Sequence, residues 1–168
     1  TLGDDRLGTQ WRQLMPKDVK VAGSAITAKL QPDGSVLGAG TIGNADYTLT
    51  IEAPKGAAQT VVTGFMLEAL PHDSLAGFGP GLNPSGNFVV TEFQVERGAA
   101  PKRGRQAAAG LKFTGAQASH NQKDFDVKNA INGNLDRNDK AWGIGGGERR
   151  PQWARFQLEK PIDLAEGD

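Results

Sequence analysis

Residues 65–95 read FMLEALPHDSLAGFGPGLNPSGNFVVTEFQV, two alternating apolar runs around a long loop rich in Gly, Pro and Asn. Period-2 alternation over short runs, bounded by such residues, marks half-buried β-strands. The stretch is therefore expected to be a strand (60–70), a structured loop and a second strand (88–96). Pro71, Pro80 and Pro84 restrict the loop, Gly77, Gly79, Gly81 and Gly86 allow sharp reversals, and Leu75 and Phe78 are expected to tuck beneath it.

The same signature extends outward in both directions. A short first strand is expected at 10–15 around Trp11 and Leu14, stopped by Pro16, with Trp11 in the core. Residues 25–30 alternate Ile26, Ala28 and Leu30 against Thr27 and Lys29, and Pro32-Asp33-Gly34-Ser35 is a turn leading into 36–39, which completes a hairpin. Tyr47, Leu49, Ile51 and Ala53 share one face of a strand at 47–53. Residues 97–106, RGAAPKRGRQ, hold four cationic side chains without periodicity and read as an exposed crossover. Beyond it, 111–118 is strand-like, 127–131 fits one helical turn, and 132–139, NGNLDRND, is all turn chemistry. A last strand is expected at 153–159, with Ala154, Phe156 and Leu158 inward and Arg155 and Gln157 outward. No helix-length 3.6-residue periodicity occurs, so the expected fold is a single all-β domain, an antiparallel β-sandwich.

Composition narrows the function. The 168 residues suit one domain. There is no cysteine and only two histidines, His72 and His120, which argues against thiolate and zinc sites. The 19 basic and 19 acidic side chains cancel, which removes the electrostatic case for a general nucleic-acid binder. No apolar run approaches the roughly 18 residues of a membrane span. A chain opening on Thr1 is expected to be a processed product or an excerpt of a longer protein.

The segments 11–16 (WRQLMP), 33–37 (DGSVL), 46–49 (DYTL), 67–71 (LEALP), 73–75 (DSL), 79–81 (GPG), 86–89 (GNFV) and 92–93 (EF), with 130–133 (AING) and 141–142 (AW), resemble the β-rich module of planctomycete multidomain proteins. That resemblance implies an extracytoplasmic protein, at the cell surface or in the periplasm, whose neighbours include cytochrome c-like domains. Residues 125–142 more weakly resemble discoidin, or coagulation factor 5/8 C-type, galactose-binding-like domains, which implies a jelly-roll sandwich. That pattern has Asp where this chain has Asn132, and residues 136–140 are an insertion. Similar modules continue for two more strands beyond the equivalent of 159–161, so a jelly roll lacking its last strands, with an unpaired sheet edge, is expected.

Candidate chemistry follows from residue types. His72-Asp73-Ser74 has the composition of a hydrolase triad, but three consecutive residues cannot form the relay; a turn is expected. Glu68, Glu92 and Glu52 are the acids to consider as a glycosidase pair, which needs two carboxyls about 5 to 10 Å apart across a cleft; solvent-facing or cross-strand-paired glutamates are the ordinary alternative. Asn132, Asn134, Asp136, Asn138 and Asp139 carry hard oxygens of the kind calcium prefers, with Ala130 contributing a carbonyl, and the discoidin-like resemblance implies a structural calcium ion; a metal-free Asn/Asp turn would read the same. A polysaccharide site needs aromatic faces and planar polar groups, for which Trp142, Trp153, Tyr47 and Phe78 are the rings and Asn121, Arg149, Arg150 and Arg155 the partners. Residues 143–151, GIGGGERRP, read as a mobile cationic tip and lack the Lys-Ser/Thr of a phosphate loop. The expected function is a non-catalytic carbohydrate-binding module. The alternative is a structural module that packs against neighbouring domains or chains, and an autonomous hydrolase ranks last.

Overall fold

The computed structural model describes residues 10–53, 60–98 and 110–164. Nine strands follow in order: β1 (Pro16–Ala22), β2 (Thr27–Leu30), β3 (Val36–Ala39), β4 (Asp46–Ile51), β5 (Val61–Ala69), β6 (Val89–Val90), β7 (Phe113–Ala118), β8 (Trp142–Gly143) and β9 (Gln152–Asp163). Two 3-10 turns, Ala76–Phe78 and Val127–Ile131, interrupt them. Every ladder is antiparallel, so the protein is all-β. Among the described residues no helix is long and apolar enough to cross a membrane.

The β2–β3 hairpin forms as its turn chemistry dictates. Leu30 pairs with Val36, Gly34 takes φ +81°, and Asp33 Oδ1 accepts from Ser35 N (2.9 Å) and Ser35 Oγ (2.7 Å). Those bonds hold the exposed Asp33 carboxyl below the usual range. The first strand differs from expectation. Residues 10–15 join no ladder and Pro16 opens β1 instead of ending a strand, because a proline lacking its N–H is tolerated at a strand's first residue. Trp11 is correspondingly half-buried.

β1 pairs with β4, setting Val19 against Leu49 and Val21 against Tyr47. The apolar face read from the sequence exists, yet Tyr47, Leu49 and Ile51 stay 43, 42 and 36% exposed. Among the described residues of this N-terminal half, Ile26 is the only buried hydrophobic one.

The core belongs to the other half. β9 runs between β5 and β7, and its alternation puts Ala154, Phe156 and Leu158 inward at 0, 1 and 4% exposure. Phe93 stacks on Phe156 (4.2 Å, 9°) and Phe113 meets Phe156 at 62°, favourable offset and edge geometries. The short β6–β8 pair supplies Trp142 and Val90 to the same buried cluster, giving two layers around one core.

Two strand expectations are corrected here. Only Val89–Val90 of 88–96 is strand, and it pairs with β8 and not with β5; Phe93 N–H donates instead to Ala130 O (2.7 Å). The last strand does not stop at 159 but continues to Asp163, where Val61 and Val62 pair with Asp163 and Ile162. The register jumps between Val62 and Gly64, beside Pro161, which has no N–H for the ladder. Among the described residues β5 and β7 each keep one unpaired edge. The crossover read at 97–106 lies, beyond residue 98, outside the described residues.

Candidate functional site

A shallow, open groove of about 370 Å³ runs along the free edge of β7, lined by Ala116, Gln117, Ala118, Asn121, Asp126, Val127, Lys128 and Trp153. Its far wall is the Val127–Ile131 turn, which forms because Asp126 is its N-cap, with Oδ1 accepting from Lys128 N (2.9 Å). Asn121 Oδ1 accepts from Val127 N (3.1 Å), tying the loop after β7 to the same turn. Val127 and Ala130 face the core, so the wall is fixed by burial.

The β7–β9 register decides what the groove presents. Ser119 N–H donates to Trp153 O (2.9 Å), and Gln117 pairs with Arg155 two residues further on. In an antiparallel ladder hydrogen-bonded and non-bonded pairs alternate, so the backbones of Ala116 and Ala118 point away from β9, to the groove side. Trp153, opposite in face to the buried Ala154, is half-buried. The Arg155 guanidinium lies over its ring at 4.7 Å and donates to Gln117 Oε1 (2.7 Å). Trp153 and Asn121, both read from the sequence as ligand contacts, are thus brought together, and Arg155 joins them. Gln117 and Lys128 were missed. Alternation would have turned Gln117 outward, but only the register sets it beside Arg155, and nothing in the sequence aims Lys128 at a groove.

The remaining sugar-contact candidates lie elsewhere. Trp142 is 0% exposed, meets Phe88 edge-on at 5.2 Å and donates from Nε1 to His120 O (3.0 Å). It is a core residue with no ring face left for a ligand. Tyr47 sits on β4, its hydroxyl close over Gly38 of β3, and burial there pushes its phenol up. Arg149 and Arg150 line a second, open depression of about 380 Å³ with Gly146, Gly147 and Glu148.

That glycine-rich tip is tied down more than its composition implies. Gln122 Oε1 accepts from Asn87 Nδ2 (2.8 Å) and Gly145 N (3.1 Å), and Asn87 Oδ1 accepts from Ile144 N (3.1 Å). The buried Gln152 donates to Gly147 O (2.7 Å) and accepts from Ser119 Oγ (2.5 Å). A side chain on Gly145 or Gly147 would meet Gln122 or Gln152 within 2.5 and 2.7 Å. The glycines make room for an amide network. Glu148 is held below the usual carboxylate range by its own and Gly146's backbone N–H, with His120 and Arg149 adding to the effect.

The calcium candidates form a self-contained loop. Asn132 Oδ1 accepts from Asn134 N (2.6 Å), Asn134 Oδ1 from Asp136 N (3.0 Å), and Asp136 Oδ1 from Asn138 N (2.9 Å) and Nδ2 (3.1 Å). Asp139 Oδ2 accepts from the amides of Asn132 (3.0 Å) and Asn134 (3.2 Å). The Ala130 carbonyl is the one that receives Phe93 N–H. The Asn132, Asn134 and Asp136 oxygens close the loop's own turns, and among the described residues no three His, Cys, Asp or Glu converge as a metal site.

Glu92 joins this loop. Its two carboxylate oxygens each lie 3.3 Å from Gly133 N. Burial raises its pKa above 4.5 and the nearby Asp139 charge raises it further, against the Gly133 bond, which lowers it. An acid with a raised folded-state pKa binds its proton more tightly when folded, so stability falls as pH rises from the unfolded value of 4.5 through the folded one. Glu92→Gln is therefore expected to raise Tm at pH 7 by a small amount, with the gain disappearing below pH 4.5. Equal gains at both pH values in thermal melts would contradict that origin.

The other acids and the histidine stand apart. Glu52 pairs with Lys17, which lowers its pKa, while Glu68 lies opposite Trp153 on β5. His72 Nδ1 accepts from Ser74 N (3.1 Å) and lies 2.7 Å from Ser74 Oγ, a turn without a carboxylate relay. No family model, curated protein or solved structure matches this chain.

Proposed function

We propose that this domain is a non-catalytic carbohydrate-binding module of a cell-surface or periplasmic multidomain protein, and that polysaccharide is held in the groove along β7. The carrying observation is the outward, partly exposed Trp153 beside Asn121, Gln117 and Lys128. An aromatic ring packs on sugar C–H faces while amide and cationic groups meet hydroxyls. The engagement of Glu52 by Lys17 and of Glu92 by Gly133 supports a binding role over hydrolysis. The resemblance to planctomycete modules supports the extracytoplasmic setting and cytochrome-containing neighbours, and the weaker one supports a galactose-binding-like jelly roll.

Affinity gel electrophoresis over a panel of polysaccharides tests this. Trp153→Ala is expected to weaken retardation about tenfold, equivalent to about 1.4 kcal/mol. Its stability should fall by only about 1 kcal/mol, the size of an exposed cation–π contact. Unchanged retardation would remove the groove from the function.

One feature favours a second reading, docking to a neighbouring domain or chain. Phe78 is not tucked under its loop but 64% exposed, at φ +54°. The loop interior is filled by backbone, with Gly79 against Gly86 and Gly77 against Ser85, so no space remains for the ring. From Ser74 to Thr91 the chain carries no charge, as interface centres are depleted of charge and enriched in aromatics. A left-handed conformation costs a non-glycine residue roughly 1–2 kcal/mol, which glycine's extra chain entropy, about 0.5–1 kcal/mol, partly offsets. Phe78→Gly is therefore expected to keep or slightly raise Tm. A drop of several degrees would show that the ring supports the loop and would end the docking reading.

A further inference from the structure

We infer that the groove selects anionic polysaccharides, carboxylated or sulfated, and that Arg155 is the residue that reads the anionic group; this rests on the glycan-binding reading of the same groove. Arg155 contacts two of the groove's lining residues. Its guanidinium is stacked 4.7 Å over Trp153 and anchored through Nη2 to Gln117 Oε1 at 2.7 Å. Stacking and the single anchor order the group while leaving its other N–H donors without an acceptor among the described residues. Guanidinium donors form a planar fork that matches two oxygens of one carboxylate or sulfate. A single neutral hydroxyl cannot fill both arms of the fork and brings no charge to it.

The charge environment points the same way. Among the described residues the ion pairs are Lys17–Glu52, Lys20–Asp18 and Arg137–Asp46, so no carboxylate lies within pairing distance of Arg155 or Lys128. Lys128 lines the opposite wall of the groove. The acid there, Asp126, is engaged by Lys128 N at the turn's N-cap. Glu68, opposite Trp153 in the β5–β9 register, lies diagonal to Arg155, which faces Met66, and forms no bridge to it. An ordered, uncompensated guanidinium beside an aromatic ring, with a second cation across the groove, complements a sugar ring that bears an anionic substituent.

The whole chain is run in gels containing polygalacturonate, chondroitin sulfate, dextran or galactan, at low and high salt. Retardation by an anionic polymer is expected, stronger at low salt. Arg155→Gln should weaken it about tenfold, and Arg155→Lys nearly as much, since the charge is kept but the fork is lost. Lys128→Gln, on an exposed side chain that the fold does not need, should weaken it about threefold, in the range of a surface charge contact. Arg149→Ala with Arg150→Ala should leave it unchanged. Retardation by the neutral polymers alone would overturn the anionic assignment and leave the groove reading standing, whereas no retardation by any polymer would overturn both. An Arg155→Lys variant that binds like the parent, or loss of binding in the Arg149/Arg150 variant, would overturn the role of Arg155.

Discussion

Replacing Trp142 by alanine is expected to cost about 3–5 kcal/mol of stability, a large part of the roughly 5–15 kcal/mol that holds a domain folded. The ring is fully buried and is the largest side chain in the core. It packs edge-on to Phe88 and belongs to one cluster with Phe156, Ile144 and Val127. Truncation removes that burial and leaves a cavity beside Phe88 that backbone relaxation only partly closes. It also strips the partner from the His120 carbonyl, and an unsatisfied buried acceptor costs about 1–3 kcal/mol. Because His120 precedes Asn121, loosening here would also disturb the groove wall. Urea denaturation followed by circular dichroism reads the loss as a lower midpoint. A variant that lost less than about 1 kcal/mol while losing polysaccharide retardation would mean that the ring is a surface contact after all. Set beside Trp153→Ala, the experiment separates two tryptophans that look alike in the sequence.

Gly81→Ala is expected to destabilise the protein by about 3 kcal/mol, the upper end for a forced steric insertion. A methyl at this position would collide with the Asn87 carbonyl and crowd Gly86 O at 3.0 Å, and backbone cannot swing aside as a side chain can. The two limbs of the loop are fastened there by Gly81 N–H to Gly86 O (2.9 Å), and next to it by Gly86 N–H to Asn83 O (2.7 Å). Moving them would shift Asn87, whose side chain joins the loop to Ile144 and Gln122. Gly133→Ala is the control. Gly133 has φ +78° but nothing within 4 Å of an added methyl, so only the conformational cost of about 1–2 kcal/mol applies. Thermal melts of the two variants should rank Gly81→Ala well below Gly133→Ala. The reverse order would show that the loop's close approach is not needed for the fold.

The local features of this chain were legible. Turn residues around Asp33 and Gly34 specified a hairpin whose strands fall on the expected residues, β5 and β7 came within two residues of their expected limits, and the turn at 127–131 took its expected place. The inward and outward faces of β9 also followed from alternation, since a half-buried strand writes its two environments directly into successive residues. Failures occurred where a residue's environment depends on a distant partner. Residues 91–96 have strand composition, yet Phe93 gives its N–H to Ala130. Phe78 is apolar, yet its loop is filled by glycine backbone. The chemistry at 132–139 suits calcium or turns equally, and only the hydrogen bonds showed that Asn132, Asn134 and Asp136 each close a turn.

By itself, then, the sequence determined an antiparallel all-β protein, the positions of its sharp turns and the faces of its best-alternating strand. These depend on backbone preferences and on burial that repeats every second residue. Only the tertiary structure decided which strands pair beyond the β2–β3 hairpin, that Trp142 is enclosed while Trp153 is partly open, and that Gln117 lies beside Arg155. The physical reason is that alternation fixes a side chain's face but not its neighbour across the ladder. Register and the close approach of loops arise from contacts among residues far apart in the chain, and it is such a contact, β7 against β9, that brings Trp153 and Arg155 to the groove.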